Sequence, residues 1–596
     1  MRLKIVFLFI SINTFFIQDI CAQVIPDSMR VDWSGAGYSG VIPNPSLIIN
    51  VKDFGAFGDS VHDDYAAIMK AINSSKLLRV IYFPAANYLI KSSIQLPSNI
   101  VLRGDGVLSN LIFDLSNSKQ KDAIRIVSNQ TNSFIPIDSG YAKGSSALSL
   151  LNTSAFTVNN YAEIQEENGS WDTNPATWAK YCVGQIVAVT AVNKNSITIN
   201  PALRINYAAN LLPQIRMIKA KQNIGIECLQ VTRIDAVLNG KYGSDVEFAY
   251  AVNCWITGVE FNKSQGAHIT MKSSKNITVS GCYFHDAFTY DGTGTSGYGI
   301  LMIQHNSDCK VENSVFKHLR HAMVVKQGAN GNVFAYNYSF DEYRSEFPNN
   351  GGADMLVHGH FAFANLFEGN ICQTIMIDNT WGPAGPYNTF LRNRAELYGI
   401  AISSNSYPSN NQSIIGNEVT NTLNGHYSIY GNQFTYDNNI LGKIQPSNTT
   451  NLSDTSYYLK SKPYFWNINS TWPSIGGSNI LNSGSIPAKE RYYFGSKTTC
   501  EKGTTFASVK ATHLSNVDEL DFMVSPNPST NQFNFLNKSK HEVYVTITDS
   551  YGRVVYVAKA TLNQSLKFGA NLLPGIYICK ATDYNNLHKT LILVKQ

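Results

Sequence analysis

The chain has 596 residues, 44% of them apolar and 15% charged, so it can build a large core but carries far fewer charges than the roughly 25% of a typical soluble domain. A disordered polyelectrolyte and a charge-rich coiled coil are excluded, and 47 basic against 42 acidic residues is too weak a basic footprint for a nucleic-acid partner. Asparagine makes up about a tenth of the chain, a surplus that calls for an architectural use or an uncharged, hydroxyl-rich partner.

At the N-terminus, Arg2 and Lys4 precede an apolar run from Ile5 to Ile12, extended by Phe15, Phe16 and Ile17 and followed by the small residue Ala22. This order predicts a secretory signal peptide over residues 1–22. No later stretch is long and apolar enough for a transmembrane segment, so the expected product is exported and soluble or surface-attached. Beyond Cys21 eight cysteines remain, too few for a disulfide scaffold. Cys228, Cys254, Cys282 and Cys309 fall near one spacing but not in one column, and they are expected to be buried thiols.

The segment from Asn50 to Asp59, Asn-Val-Lys-Asp-Phe-Gly-Ala-Phe-Gly-Asp, reads as a strand and a glycine turn. Asp63 and Asp64 follow, and then an amphipathic run from Tyr65 to Asn73 predicts an Asp-capped helix. Residues 139–218 predict a β-rich insertion with strands at 147–151, 162–165, 184–192 and 196–199. Trp171 and Trp178 lie in its loops, where aromatic rings either stack on sugars or pack an insertion onto its host.

From residue 258 onward a phrase close to apolar-x-Asn-x-x-Phe recurs at Gly258, Gly281, Asn313, Asn337, Asn370, Asn393, Asn417 and Asn439. Most steps are near 23 residues and two are longer by about ten, the pattern of a solenoid with two inserted loops. Short β-rich runs between Gly, Asn and Asp turns predict stacked parallel strands, with asparagines forming a ladder. Together with the opening motif, this stretch resembles the pectate-lyase-like superfamily of right-handed β-helix proteins. The resemblance implies an all-β fold, a right-handed parallel β-helix over residues 23–485, and an activity on polysaccharide by a lyase, by a glycoside hydrolase or by binding alone.

Seven of the twelve histidines lie between His268 and His360. Counting four and five residues beyond each repeat position gives Asn262/Lys263, His285/Asp286, Lys317/His318 and Asp341/Glu342, a predicted polar ridge over four coils. Lys272, Lys326, His358 and Asp378 are expected to point outward from adjacent strands, with Arg320, His321, Arg344 and His360 nearby. Loops at 289–298 and 344–353 would wall a groove over them. Such a ridge suits uronate β-elimination, in which a cation neutralises the sugar carboxylate, a base removes the C5 proton and an acid protonates the leaving oxygen.

Lys317 or His318 is expected to serve as the base and Arg320 or His321 as its partner, with Lys263, Lys272, His285, Lys326, His358, His360, Asp378 and Arg344 binding an anionic substrate. Asn262, Asp286, Asp341 and Glu342 are oxygen ligands of the type Ca²⁺ takes. Hydrolysis instead needs two opposed carboxyls. The chain lacks a P-loop, a dinucleotide fingerprint, zinc-type cysteine spacing and a nucleophile elbow, so no organic cofactor is expected.

After an expected linker at 486–520, residues 521–596 contain Ser525-Pro-Asn-Pro528, Asp549-Ser-Tyr-Gly-Arg553 and Leu573-Pro-Gly-Ile-Tyr577. This unit resembles the C-terminal sorting domain of Bacteroidetes type IX secretion substrates. The resemblance implies a small β-sandwich, recognition by the secretion machinery and work outside the cell, here expected of a monomer.

Overall fold

The computed structural model describes residues 23–596 apart from 130, 237–241, 293, 348, 350, 404–406, 477–480, 501–521, 540–541, 550–553 and 584–587. The signal-peptide reading of residues 1–22 lies outside the described residues. The chain divides into two compact units, residues 1–506 and 507–596.

The first unit is a parallel β-helix whose short strands pair with those of the coils above and below, building three faces. The first face is a 12-stranded sheet running from Ile48–Asn50 to Phe434–Tyr436. The second holds Glu260–Ser264, Tyr283–Ala287, Val315–Lys317 and Tyr338–Phe340 in register. The third holds Ala267–Lys272, Tyr298–Ile303, His321–Val325 and Met355–His358, followed by Ile371–Asp378. Inward residues alternate with outward ones, and the inward set forms one core along the axis. Phe261, Phe284 and Phe316 stack within it at 5.0 and 4.8 Å.

Each turn from the first to the second face uses two adjacent positions with different physical demands. Gly258, Gly281, Asn313, Tyr336, Gly369, Arg392, Gly416 and Asp437 occupy the left-handed region, which suits glycine and asparagine. The following residue carries the ladder. Asn337 donates its amide to Asn370 at 3.0 Å, Asn370 to Asn393 at 2.9 Å, Asn393 to Asn417 at 3.0 Å and Asn417 to Asn438 at 3.0 Å. Gly258, Gly281 and Asn313 are therefore turn residues, not ladder residues, and Asn438 replaces Asn439 as the last rung. A second ladder, absent from the sequence reading, links Asn306, Asn332, Asn365, Asn388 and Gln412 before the first face. Buried amides that satisfy one another in this way account for much of the asparagine surplus.

Helix Tyr65–Asn73 forms as expected, but Asp64 makes no side-chain cap to it. Its carboxylate instead accepts from the backbone N–H of Phe57 at 2.5 Å and Gly58 at 3.0 Å, fixing the preceding glycine turn. The insertion is a six-stranded antiparallel sheet spanning Ile135–Pro136 to Gln214–Ile218. It is stapled to the β-helix by buried polar groups: Arg204 pairs with Asp308, His305 bonds Glu163 at 2.9 Å, and Asn330 donates to the carbonyl of Gly184 at 2.9 Å.

Two expectations change at the C-terminal side of this unit. Residues 486–500, read as linker, include helix Pro487–Tyr493, whose Ala488 is buried in the first unit's second core. Cys228, read as a thiol, is bonded to Cys500, whereas Cys254, Cys282 and Cys309 are free and buried. The second unit consists of a three-stranded and a four-stranded antiparallel sheet around Phe533, Phe535, Val545, Ile547 and Leu593. Among the described residues no helix is long and apolar enough to cross a membrane.

Candidate active site

A groove of about 530 Å³ opens over the third face. Its long walls are the loops at 288–297 and 341–354, which clasp each other where Gly292 N–H donates to Glu346 Oε1 at 2.6 Å and Ser345 N–H to the Tyr290 carbonyl at 3.3 Å. Arg320 Nη1 holds the first loop by donating to the carbonyls of Asp291 and Gly294 at 2.6 and 3.0 Å. The insertion contributes Trp178, packed edge-on against Trp381 at 5.5 Å.

The groove brings Arg320, His321, Lys326, Arg344, His358 and Asp378 together. His321 opens its strand and is 9% exposed, and its Nδ1 bonds the carbonyl oxygen of Ala353 at 3.0 Å. A carbonyl only accepts, so the proton sits on Nδ1 and Nε2 carries the lone pair. Burial, then the Arg320 guanidinium and His358, hold its pKa well below the usual histidine value, which keeps the ring neutral. Tyr298 lies across the same groove, its ring edge-on to His321 at 4.9 Å, and burial raises its pKa so that it retains its proton. His358 Nδ1 bonds Asp378 Oδ2 at 2.7 Å, and the His321 and His358 rings are 6.2 Å apart. Lys326 lies over the Trp178 ring at 5.2 Å, and burial lowers its pKa.

The other expected residues lie elsewhere. Register places Asn262, His285, Lys317 and Phe340 in one column of the second face. The next positions, Lys263, Asp286, His318 and Asp341, all adopt left-handed backbone at the following turn. None of these ridge residues is among the described residues that line the groove. His318 bonds Asp341 at 3.0 Å and stacks on Tyr343 at 4.7 Å, while His285 bonds Asp286 and Glu260 at 2.8 and 3.2 Å. Lys272 occupies the third-face column two coils before Lys326, separated from it by Ile303. His360 is buried behind the groove, 4.9 Å from the Trp178 ring.

Glu342 was counted outward by the same one-residue slip in the repeat frame. It is 2% exposed and turned inward, accepting from Thr374 Oγ1 at 2.8 Å. Burial and the neighbouring Asp354 raise its pKa well above the carboxylate range, and burial raises Asp354 to about 6. Asn262, Asp286, Asp341 and Glu342 therefore do not converge, and the set does not fit a calcium ion. Among the described residues no three His, Cys, Asp or Glu side chains form a metal-holding group.

Sequence reasoning placed residue 298 at the end of a loop walling the groove but gave Tyr298 no chemical role. The available signal was position: it ends the first inserted loop and begins a third-face strand, one register step from His321.

Residues 48–287 match the family described as rhamnogalacturonase A/epimerase, pectate lyase-like, and residues 523–595 match the secretion system C-terminal sorting domain. The mannuronan C5-epimerase AlgE1 of Azotobacter vinelandii is 32% identical over 115 residues, covering 18% of this chain and 8% of that protein. The pre-neck appendage protein of Bacillus phage B103 is 26% identical over 305 residues, covering 50% of this chain and 29% of that protein. The chain thus spans well under a third of the length of either curated relative. Among solved structures, the tailspike protein gp49 of Pseudomonas phage LKA1 is 15% identical, with 67% of this chain and 82% of that chain covered at a TM-score of 0.37. The chain carries a pectate-lyase-like parallel β-helix domain and a C-terminal sorting domain that directs it to secretion or the cell surface.

Proposed function

We propose that the chain is a secreted carbohydrate-active enzyme, a polysaccharide lyase that cleaves a uronic-acid-containing glycan by β-elimination. The carrying observation is the convergence of a neutral imidazole, a protonated phenol and three cationic side chains in one groove. Lys326 and Arg344 meet the uronate carboxylate and lower the cost of charge developing on it. His321 Nε2 takes the C5 proton, and the Tyr298 hydroxyl donates to the departing glycosidic oxygen, so the C4–O bond breaks as the C4–C5 double bond forms. Asp378 fixes His358, and Arg320 fixes the loop. We take His321 as the base in preference to Lys317 and His318, which are not among the described residues lining the groove.

Glycoside hydrolysis is less well supported. It requires two carboxyls across the bond, and among the described residues lining the groove Asp378 is the one carboxylate, already bonded to His358. Incubation with pectate, alginate and glycosaminoglycans tests the reading: unsaturated-uronate absorbance that persists in chelator is expected. Reducing ends without that absorbance would establish a hydrolase. Binding without either product would establish a glycan-binding protein.

A further inference from the structure

A second cleft, of about 260 Å³, is bordered by Pro383–Pro386, the continuation of the segment whose Asp378, Thr380 and Trp381 line the groove. Its apolar surface comes from Trp171 of the insertion, Phe361, Tyr407 and prolines, and its polar edge from Asn410 and Asn411; among the described residues no charged one lines it. The walls are built rather than loose. Trp171 packs on Phe361 at 4.8 Å with the rings inclined by 42°. Ser409 Oγ accepts from Ala384 N–H at 2.9 Å and donates to Asn379 Oδ1 at 3.0 Å, while Asn379 Nδ2 donates to the Tyr407 carbonyl at 3.1 Å. Asn410 Oδ1 accepts from Asn432 N–H at 2.8 Å, which leaves its amide N–H₂ directed by a fixed carbonyl. Tyr407 is nevertheless half exposed, at 50%.

Rigid aromatic faces beside uncharged amides suit a pyranose ring, which offers apolar C–H faces and equatorial hydroxyls. The cationic groove next to it suits a carboxylate. The same insertion loop serves both, with Trp178 at the groove and Trp171 at the cleft.

We propose that the Trp171–Phe361–Tyr407 cleft is a second saccharide-binding site that takes an uncharged sugar unit, distinct from the uronate site in the groove. The proposal rests on the reading of the ligand as a glycan, but not on its being cleaved. A substrate bearing neutral side residues or alternating neutral and acidic units would engage both sites, and the second contact would raise affinity through effective concentration.

Native affinity electrophoresis through gels containing xylan, galactomannan, mixed-linkage β-glucan, pectate or alginate tests the proposal. Wild-type protein is expected to be retarded in at least one neutral gel. Tyr407→Ala, at an exposed position, is expected to weaken that binding about tenfold, the loss of one stacking contact, and Trp171→Phe, which keeps a smaller ring against Phe361, to weaken it by a lesser factor. His321→Gln is expected to migrate as wild type in the neutral gel. Absence of retardation in every neutral gel, or equal retardation of wild type and both cleft variants, would overturn the cleft. Uronate turnover that survives His321→Gln would overturn the groove reading alone and leave the cleft standing.

Discussion

His321 donates from Nδ1 to the main-chain carbonyl of Ala353 at 3.0 Å, and this bond selects the tautomer in which Nε2 is the basic nitrogen. Ala353 belongs to the second inserted loop, so the wall of the groove also sets the chemistry of its floor. Substituting His321 by glutamine keeps a side chain of similar reach but removes the base. Turnover of a uronate polymer is expected to fall by about 10²–10⁴-fold. The pH profile gives a separate check. His321 acts only when neutral, and its depressed pKa moves the protonated form to lower pH. Activity should therefore persist as pH falls through about 6.5, the ordinary histidine value, and decline only below it. A half-maximal rate at or above that pH would contradict the assignment.

Glu342 and Asp354 form a buried acid pair beneath the groove. Burial raises Asp354 to about 6, and burial and Asp354 raise Glu342 well above the carboxylate range, whereas both carboxyls titrate near 4 in an unfolded chain. As pH rises from about 4 to about 6 the unfolded chain releases these protons before the folded one does, so their contribution to stability is full below about 4 and is lost across that window and above it. Glu342→Gln retains an acceptor for Thr374 Oγ1 and removes one ionisation. It is expected to raise the melting temperature at pH 7.5, because the folded chain no longer resists this ionisation. The gain should vanish near pH 4 in thermal melts. A lower melting temperature at pH 7.5 would show that the carboxylate is held ionised.

The Cys228–Cys500 bond closes a sequence separation of 272 residues and ties the segment after helix Pro487–Tyr493 back to an early coil. Cys500→Ser is expected to lower stability to denaturant by about 2–4 kcal/mol, the usual range for a native disulfide, and reduction of the wild type should match it. An unchanged midpoint in both would mean that packing of this segment alone holds it.

Much of the fold is legible because a coil repeats its physical demands. The left-handed turn at Gly258, Gly281 and Asn313, and the ladder amides at Asn337, Asn370 and Asn393, leave marks at every step. The same repetition explains the slip in the candidate site. Asparagine satisfies both the left-handed position and the ladder position, so Asn313 and Asn337 look equivalent although they lie one residue apart in the coil frame. A one-residue slip moves a side chain to the opposite side of a strand. That is how Glu342 is expected outside although it is buried; Lys317 and His318 keep the correct frame, but they belong to the second face and its turn, whereas the groove lies over the third. The Trp178 wall required three dimensions, since the insertion that carries Trp178 reaches the groove across about 150 residues of sequence. The disulfide partner of Cys228 was hidden for the same reason.

Proton abstraction at C5 by His321 is the central claim, and loss of H5 at the cleaved unit measures it directly. The wild-type enzyme, given a uronate polymer in D₂O and followed by NMR, should produce unsaturated uronate ends with loss of the H5 signal at the cleaved unit, and His321→Gln should produce neither. New reducing ends with H5 intact, or unchanged elimination by His321→Gln, would contradict the account.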